Sequence, residues 1–138
     1  MPFVNLYLPA SARMTPNAEA DLEFRIAHAV GAAVKPVAEA AGIKLGPGEV
    51  TAYFFYEDER PSVIHGEKRR DVWGEVCTGM IGRMADDAIR QMTGLVTDLV
   101  FIALGGMHFV EIFPRVLDGK NVGRRKPEPP EEFSPMHP

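Results

Sequence analysis

The chain has 138 residues, of which 46% are hydrophobic and 25% are charged, and its formal net charge is -4 at pH 7. This length and apolar content suit one domain with a substantial core and are too small for two ordinary domains. The chain has no basic excess, so its composition lacks the electrostatic signature of a nucleic-acid or anionic-membrane partner, and we expect neither. Cys77 is the only cysteine, which excludes an intrachain disulfide. Because we recognise no signal peptide and no run of about 18 apolar residues, we expect a cytoplasmic protein.

The first predicted element is a β-strand over Phe3–Leu8, which begins immediately after Pro2. Its β-branched, aromatic and aliphatic residues are typical of a buried strand. If the initiator methionine is removed, Pro2 becomes a free secondary amine, and apolar surroundings would lower its pKa because they disfavour the charged form. An amine of this kind could accept a proton at neutral pH, so Pro2 is the candidate catalytic base.

An amphipathic helix is predicted to follow this strand. Thr15 is a suitable N-cap and Pro16 suits the first helical turn. Apolar residues then recur at steps of three and four along one face: Leu22, Ile26, Val30, Ala33, Val37 and Ala41. Pro36 cannot donate a hydrogen bond to the helical ladder, so we expect a kink or a break near it, and Gly42 is the expected end.

The second predicted strand is Val50–Glu57, which carries four aromatic residues in succession from Tyr53 to Tyr56. Such a strand needs cover on both faces. The helix before it is long enough for a right-handed crossover, so we expect this strand to pair in parallel with the first.

These features resemble the start of proteins in the tautomerase superfamily, which includes 4-oxalocrotonate tautomerase and proteins like macrophage migration inhibitory factor. The resemblance lies in Met1-Pro2, the strand, the amphipathic helix and the strand Val50–Glu57, about the first half of the chain. It implies that the N-terminal proline, here Pro2, is a catalytic base or acid. It also implies that no cofactor is needed and that the βαβ unit assembles into trimers or hexamers. A metal hydrolase is a distant alternative, because no set of histidine, cysteine and acidic residues has the spacing of metal ligands.

A second helix is predicted over Arg69–Met92, because residues from Trp73 to Met92 form an apolar stripe at helical spacing. Cys77 lies on this stripe and is interpreted as a small core residue, not as a nucleophile. The runs Asp98–Leu104 and Met107–Phe113 flank Gly105-Gly106, a composition typical of a tight β-hairpin. The prediction is an α+β, βαβ-type tautomerase-like fold, with four or five strands in one sheet, two helices packed on one face and a C-terminal hairpin.

Residues 1–118 are predicted to form this tautomerase-like domain. From residue 119 to 138 the sequence is rich in charged residues, glycine and proline, and it can bury too little to offset the entropy of ordering. We therefore expect a flexible tail or an arm that packs on another subunit.

Candidate substrate-binding residues follow from the same resemblance. The relatives often hold a carboxylate with arginines after the first strand and in the second strand; Arg13 lies close to the first place, whereas the second strand has none. Arg13 or Arg60 could hold the carboxylate, and Tyr53 or His65 could polarise a carbonyl. Two hypotheses stay open. One is an isomerase-type enzyme acting on a small enol or unsaturated keto acid, and the other is a non-catalytic oligomeric or ligand-binding protein of the same fold.

Overall fold

Two units with the order strand, helix, strand make up most of the chain. The computed structural model describes residues 2–45, 49–57, 63–64, 67–68 and 71–118, and also residues 123, 125 and 127. The first unit contains β1 (Phe3–Pro9), α1 (Pro16–Ala40) and β2 (Thr51–Glu57), and two short strands follow it, β3 (Val63–Ile64) and β4 (Glu67–Lys68). The second unit contains β5 (Val72–Thr78), α2 (Asp86–Ala103) and β6 (Val110–Val116). In each unit a 3-10 turn follows the first strand, at Ala10–Ala12 and at Gly79–Arg83.

A four-stranded mixed sheet joins the two units in the order β2-β1-β5-β6. β1 and β2 run parallel, with Phe3 opposite Thr51, so the predicted parallel crossover is confirmed. β5 and β6 are also parallel, and the two units meet through the antiparallel pair β1 and β5, in which Leu6 lies opposite Gly74. β3 and β4 form a separate two-stranded antiparallel sheet.

Both helices pack on one face of this sheet, as predicted. The strands contribute Val4, Leu6, Leu8, Val72 and Val76 to the core, at alternating positions. The helices contribute residues at steps of four: Leu22, Ile26, Val30, Val34 and Ala38 from α1, and Met92, Val96 and Val100 from α2. The other sheet face carries Phe3, Tyr7, Tyr53, Phe55 and Trp73, and we call it the aromatic face.

The ends of α1 agree with the predicted signals. The Thr15 hydroxyl caps the helix by accepting a hydrogen bond from the Ala18 amide at 3.2 Å, and Gly42 lies just beyond the last turn with φ = 73°. Pro36 does not end the helix, which continues to Ala40. The buried stripe is as predicted as far as Val30 and then continues through Val34 and Ala38, not through Ala33 and Val37.

The predicted helix over Arg69–Met92 is wrong. Residues Val72–Thr78 form β5 and α2 begins only at Asp86. Within β5, Val72, Gly74 and Val76 alternate with Trp73, Glu75 and Cys77, so a two-residue period coexists with the helical spacing. The strand forms because β5 is paired on both sides, by β1 and by β6. This long-range pairing overrides the local apolar stripe.

The predicted C-terminal hairpin is also wrong. Its first half, Asp98–Leu104, belongs to the end of α2, and Gly105 and Gly106 terminate that helix with φ values of 76° and 71°. The Gly106 amide donates to the Phe101 carbonyl at 2.9 Å, a bond of the type that closes a helix C-terminus. Two glycines with positive φ suit a tight hairpin and a helix end equally well. The following strand pairs with β5 instead of folding back.

The predicted tail of residues 119–138 lies outside the described part of the chain, apart from three isolated residues, and it stays a prediction. No helix in the described ranges combines the length and apolar character that crossing a bilayer requires.

Candidate functional site

Pro2 lies at the end of the sheet where β1 begins. The parallel register places Val50 opposite Pro2 on one side, and the antiparallel register places Thr78 opposite it on the other. Pro2 is buried, as are both of these neighbours. The chain returns to this end after β6, where the Leu117 amide donates to the Thr78 carbonyl at 3.3 Å. The N-terminal residue of the first strand is therefore enclosed between elements of both units.

The surroundings of Pro2 are largely apolar. Val50, which lies opposite Pro2, is a buried core residue. The Thr78 side chain is 1% exposed, and its hydroxyl accepts a hydrogen bond from the Met80 amide at 3.1 Å, which fixes the turn after β5. An amine held here would lose hydration, which disfavours its charged form. The position is thus suited to a neutral amine that accepts a proton.

Arg13 lies at the opposite end of β1 from Pro2. The strand has seven residues, so the two ends are roughly 23 Å apart at about 3.3 Å per residue. The guanidinium carbon of Arg13 lies 4.2 Å from the centre of the Tyr56 ring, a cation–π contact. The Tyr56 hydroxyl donates to Glu19 at 2.8 Å and accepts from the Met14 amide at 3.3 Å. Arg13 and Pro2 therefore do not meet within one chain.

Tyr53 does not face Pro2 either. It lies opposite Asn5 on the aromatic face, with its ring edge-on to Phe3 at 6.3 Å between centroids, and it is half exposed. By the alternation of β1, Pro2 falls on the helix side together with Val4. Two other predicted substrate-binding residues, Arg60 and His65, lie outside the described residues.

A polar cluster on the aromatic face was not anticipated from the sequence. The Glu75 carboxylate is buried and accepts hydrogen bonds from the Arg115 guanidinium at 3.1 and 3.2 Å and from the Cys77 thiol at 3.3 Å. The alternation of Trp73, Glu75 and Cys77 could have revealed it, because it places the carboxylate and the thiol on one strand face. The helix prediction for this segment concealed that pattern.

The pKa values of two side chains on this face, Cys77 and Tyr7, are raised. Burial, together with the hydrogen bond to Glu75 and the charge of that carboxylate, raises the pKa of the Cys77 thiol to about 12. Burial likewise raises the pKa of Tyr7, and the charge of Glu75 adds to that effect. Cys77 is therefore a poor nucleophile at neutral pH, which agrees with its interpretation as a core residue.

The described residues contain no group of three or more histidine, cysteine or acidic side chains placed to hold a metal ion.

Solved structures at 8–16% identity share this fold, and they include a 4-OT, in line with the resemblance stated from the sequence. A fused 4-OT, solved as a symmetric trimer, matches with a TM-score of 0.63 and 15% identity over 88% of this chain and 90% of its own. A malonate semialdehyde decarboxylase inhibited by 3-bromopropiolate matches with a TM-score of 0.57 and 8% identity over 91% of each chain. N1, a member of the cis-3-chloroacrylic acid dehalogenase family, matches with a TM-score of 0.56 and 16% identity over 94% of this chain and 87% of its own.

The sequence itself matches no protein-family model and no curated protein. The likeness to the solved structures therefore establishes the four-stranded mixed sheet with two helices, and it leaves the reaction to be argued from the site.

Proposed function

We propose that this chain is a cofactor-free, tautomerase-type isomerase that uses the nitrogen of Pro2 as a general base and acid. Its substrate would be a small enol or unsaturated keto acid. The observation that carries the proposal is the burial of Pro2 at the start of β1, between Val50 and Thr78, in a fold shared with tautomerase, decarboxylase and dehalogenase proteins. Apolar surroundings favour the neutral amine, which is the form that accepts a proton.

In the proposed reaction the amine takes a proton from one atom of the substrate and returns it to another. A keto–enol conversion of this kind moves a proton between carbon and oxygen and requires no net oxidation. The carboxylate of the substrate needs a cation, and the carbonyl needs a hydrogen-bond donor or a positive charge. Arg13 or Arg60 is the candidate for the carboxylate, and Tyr53 or His65 for the carbonyl.

Assembly is part of the proposal because of where Arg13 lies. Within one chain Arg13 and Pro2 occupy opposite ends of β1, so Arg13 can serve Pro2 only from another copy. A homo-oligomer, most simply a trimer or a hexamer, would supply such a neighbour. The fused 4-OT with the same fold was solved as a symmetric trimer, which supports this arrangement.

The second candidate function is a non-catalytic oligomeric or ligand-binding protein. The contact of Arg13 with the Tyr56 ring favours it, because this contact gives the arginine a structural role. Tyr53 likewise packs against Phe3 on the sheet face away from Pro2.

Substitution of Pro2 by alanine tests the catalytic proposal. The variant has a primary amine of different basicity and geometry, so turnover of phenylenolpyruvate should fall by roughly 10²-fold or more, the typical loss for a positioned acid/base group. The intact mass of the native protein must first show that Met1 is absent. Pro16→Ala is the matched control, because Pro16 is an exposed proline in the first turn of α1. It should leave the rate unchanged.

Either of two results would overturn the catalytic reading in favour of the second candidate. One is full activity in Pro2→Ala. The other is a native protein with a free Pro2 that turns over no enol or unsaturated acid.

A further inference from the structure

A groove runs along the outer side of α1, beside the start of β2. Its volume is about 940 Å³, and its lining residues extend along the helix from Ala20 to Glu39. The apolar part of the lining includes Phe24, Ala27, Gly31, Ile43, Leu45 and Val50. A volume of this size lies at the upper end of the range of about 300–1,000 Å³ that is typical of small-molecule sites. Pro2 is not among the lining residues but its neighbour Val50 is, so the groove borders the proposed catalytic position without containing Pro2.

The acidic side chains of the groove have partners in the protein, whereas two of its basic side chains have none among the described residues. The Glu23 carboxylate accepts a hydrogen bond from the Ala52 amide at 3.1 Å, and Glu39 lies 4.0 Å from the Lys35 ammonium. His28 and Lys44 also line the groove, and neither has a hydrogen-bond or ion-pair partner among the described residues. The carboxylates are therefore engaged while two basic side chains remain available, which makes the groove complementary to an anion.

Apolar side chains at the rim of the groove indicate that a ligand would also need an apolar part. Phe24 is 72% exposed and Ile43 is 42% exposed. Large apolar side chains that border a concave apolar surface leave contact area that a hydrophobic ligand can cover. The floor is formed partly by small residues, among them Ala27 and Gly31, which leave the space open.

We propose that this groove binds an amphipathic organic carboxylate, with its anionic group near His28 and Lys44 and its apolar chain along Phe24, Gly31 and Val50. A flexible alkyl chain suits a groove that follows the helix over several turns. The basic groups favour a negatively charged ligand, and the apolar lining supplies most of the affinity, since each methylene group removed from water adds to binding.

Calorimetric titration with dodecanoate tests the proposal. Dodecyltrimethylammonium, which carries the opposite charge on the same chain, should bind at least about tenfold more weakly, and so should dodecanoate to the double variant His28→Gln/Lys44→Gln. Arg25→Gln is the matched control, because Arg25 is an exposed cation of α1 that pairs with Asp21 and does not line the groove. Its affinity for dodecanoate should equal that of the unmodified protein.

A cavity-filling variant provides an independent test. A Cβ atom at residue 31 would lie 3.9 Å from the Val50 side chain, which is ordinary contact, so Gly31→Leu is accommodated and its side chain extends into the groove. Leucine is also a better helix former than glycine. The variant should keep its thermal midpoint and lose dodecanoate binding by at least about tenfold, whereas Pro2→Ala should bind dodecanoate normally.

Three results would overturn the proposal: no binding of dodecanoate, equal binding of the cationic detergent, or unchanged binding by a folded Gly31→Leu variant. If dodecanoate does not bind and Gly31→Leu lowers the oligomer mass, the groove is an interface between copies instead. Loss of enol turnover in Pro2→Ala bears only on the catalytic proposal, so the failures of the two proposals are distinguishable.

Discussion

At the scale of single residues, the groups of chemical interest lie at the two ends of β1 and within β5. Pro2 precedes an apolar strand and is buried in the structure, and its role as a base stays a proposal. The resemblance points to Arg13 because it follows the first strand, but within one chain β1 separates it from Pro2 by its whole length. The link between Glu75 and Arg115 spans 40 positions along the chain, and no local pattern contains it. Contacts of this kind depend on strand order, which the residues alone did not determine.

The Cys77 thiol should make stability fall at alkaline pH. Its ordinary pKa is 9.0, and burial raises it to about 12 in the folded chain, so the unfolded chain loses the proton first. The free energy of unfolding should therefore decrease as the pH rises from about 9 to about 12. Denaturant unfolding at a series of pH values measures this decrease.

Cys77→Ala is the control for that titration. The pKa values of Tyr7 and Tyr56 are also raised, from an ordinary value of 10.0, so they reduce stability only at higher pH than the thiol does. Between pH 9 and 10 the variant should consequently lose clearly less stability than the unmodified protein does. A decrease of the same size over that interval in the variant would show that the thiol is not responsible.

Among the elements, those with strong local signals were predicted and those defined by distant partners were not. β1, α1 and β2 have a β-type composition, a capping threonine, a terminal glycine and a repeated apolar spacing, and all three form where expected. β5 was mistaken for a helix because its apolar residues also fit helical steps, and β6 was placed in a hairpin because two glycines precede it. Both errors were made at strands whose identity depends on pairing with distant parts of the chain.

Gly74 shows how closely β5 is fitted to its neighbour. A Cβ atom at this residue would lie 2.5 Å from the Asn5 carbonyl oxygen and 2.8 Å from the Leu6 side chain. Gly74→Ala should therefore destabilise the protein by about 2 kcal/mol or more, because the oxygen belongs to the backbone of β1 and cannot turn aside. The thermal or denaturant midpoint measures the loss.

Gly94→Ala provides the comparison within α2. No atom lies within 4 Å of a Cβ added there, and alanine favours a helix over glycine, so this variant should be more stable by about 0.5–1 kcal/mol. If both glycine variants shift the midpoint in the same direction, the close approach of β5 to β1 does not limit which residue can occupy position 74.

At the scale of the whole molecule, the two units give the sheet one covered face and one aromatic face. Tyr7 stacks between Phe55 and Trp73, with ring centroids 5.2 and 4.3 Å apart. Tyr53, Phe55 and Phe113 remain at least 40% exposed. A connected aromatic surface of this extent is unusual for a monomer and typical of an interface. Association through this face would bury it without disturbing either helix.

We therefore predict a homo-oligomer, most simply a trimer or a multiple of it, that forms through the aromatic face. Light scattering should give a mass at least three times the chain mass of 15.2 kDa. Phe55→Glu should dissociate it, because each copy loses a large apolar contact worth about 1.5–3 kcal/mol and gains a charge that would have to be buried. Ile102→Glu, at a residue of α2 that is even more exposed, should leave the mass unchanged. A monomer mass for the unmodified protein at micromolar concentration would refute assembly, and it would also remove the only route by which Arg13 could reach Pro2.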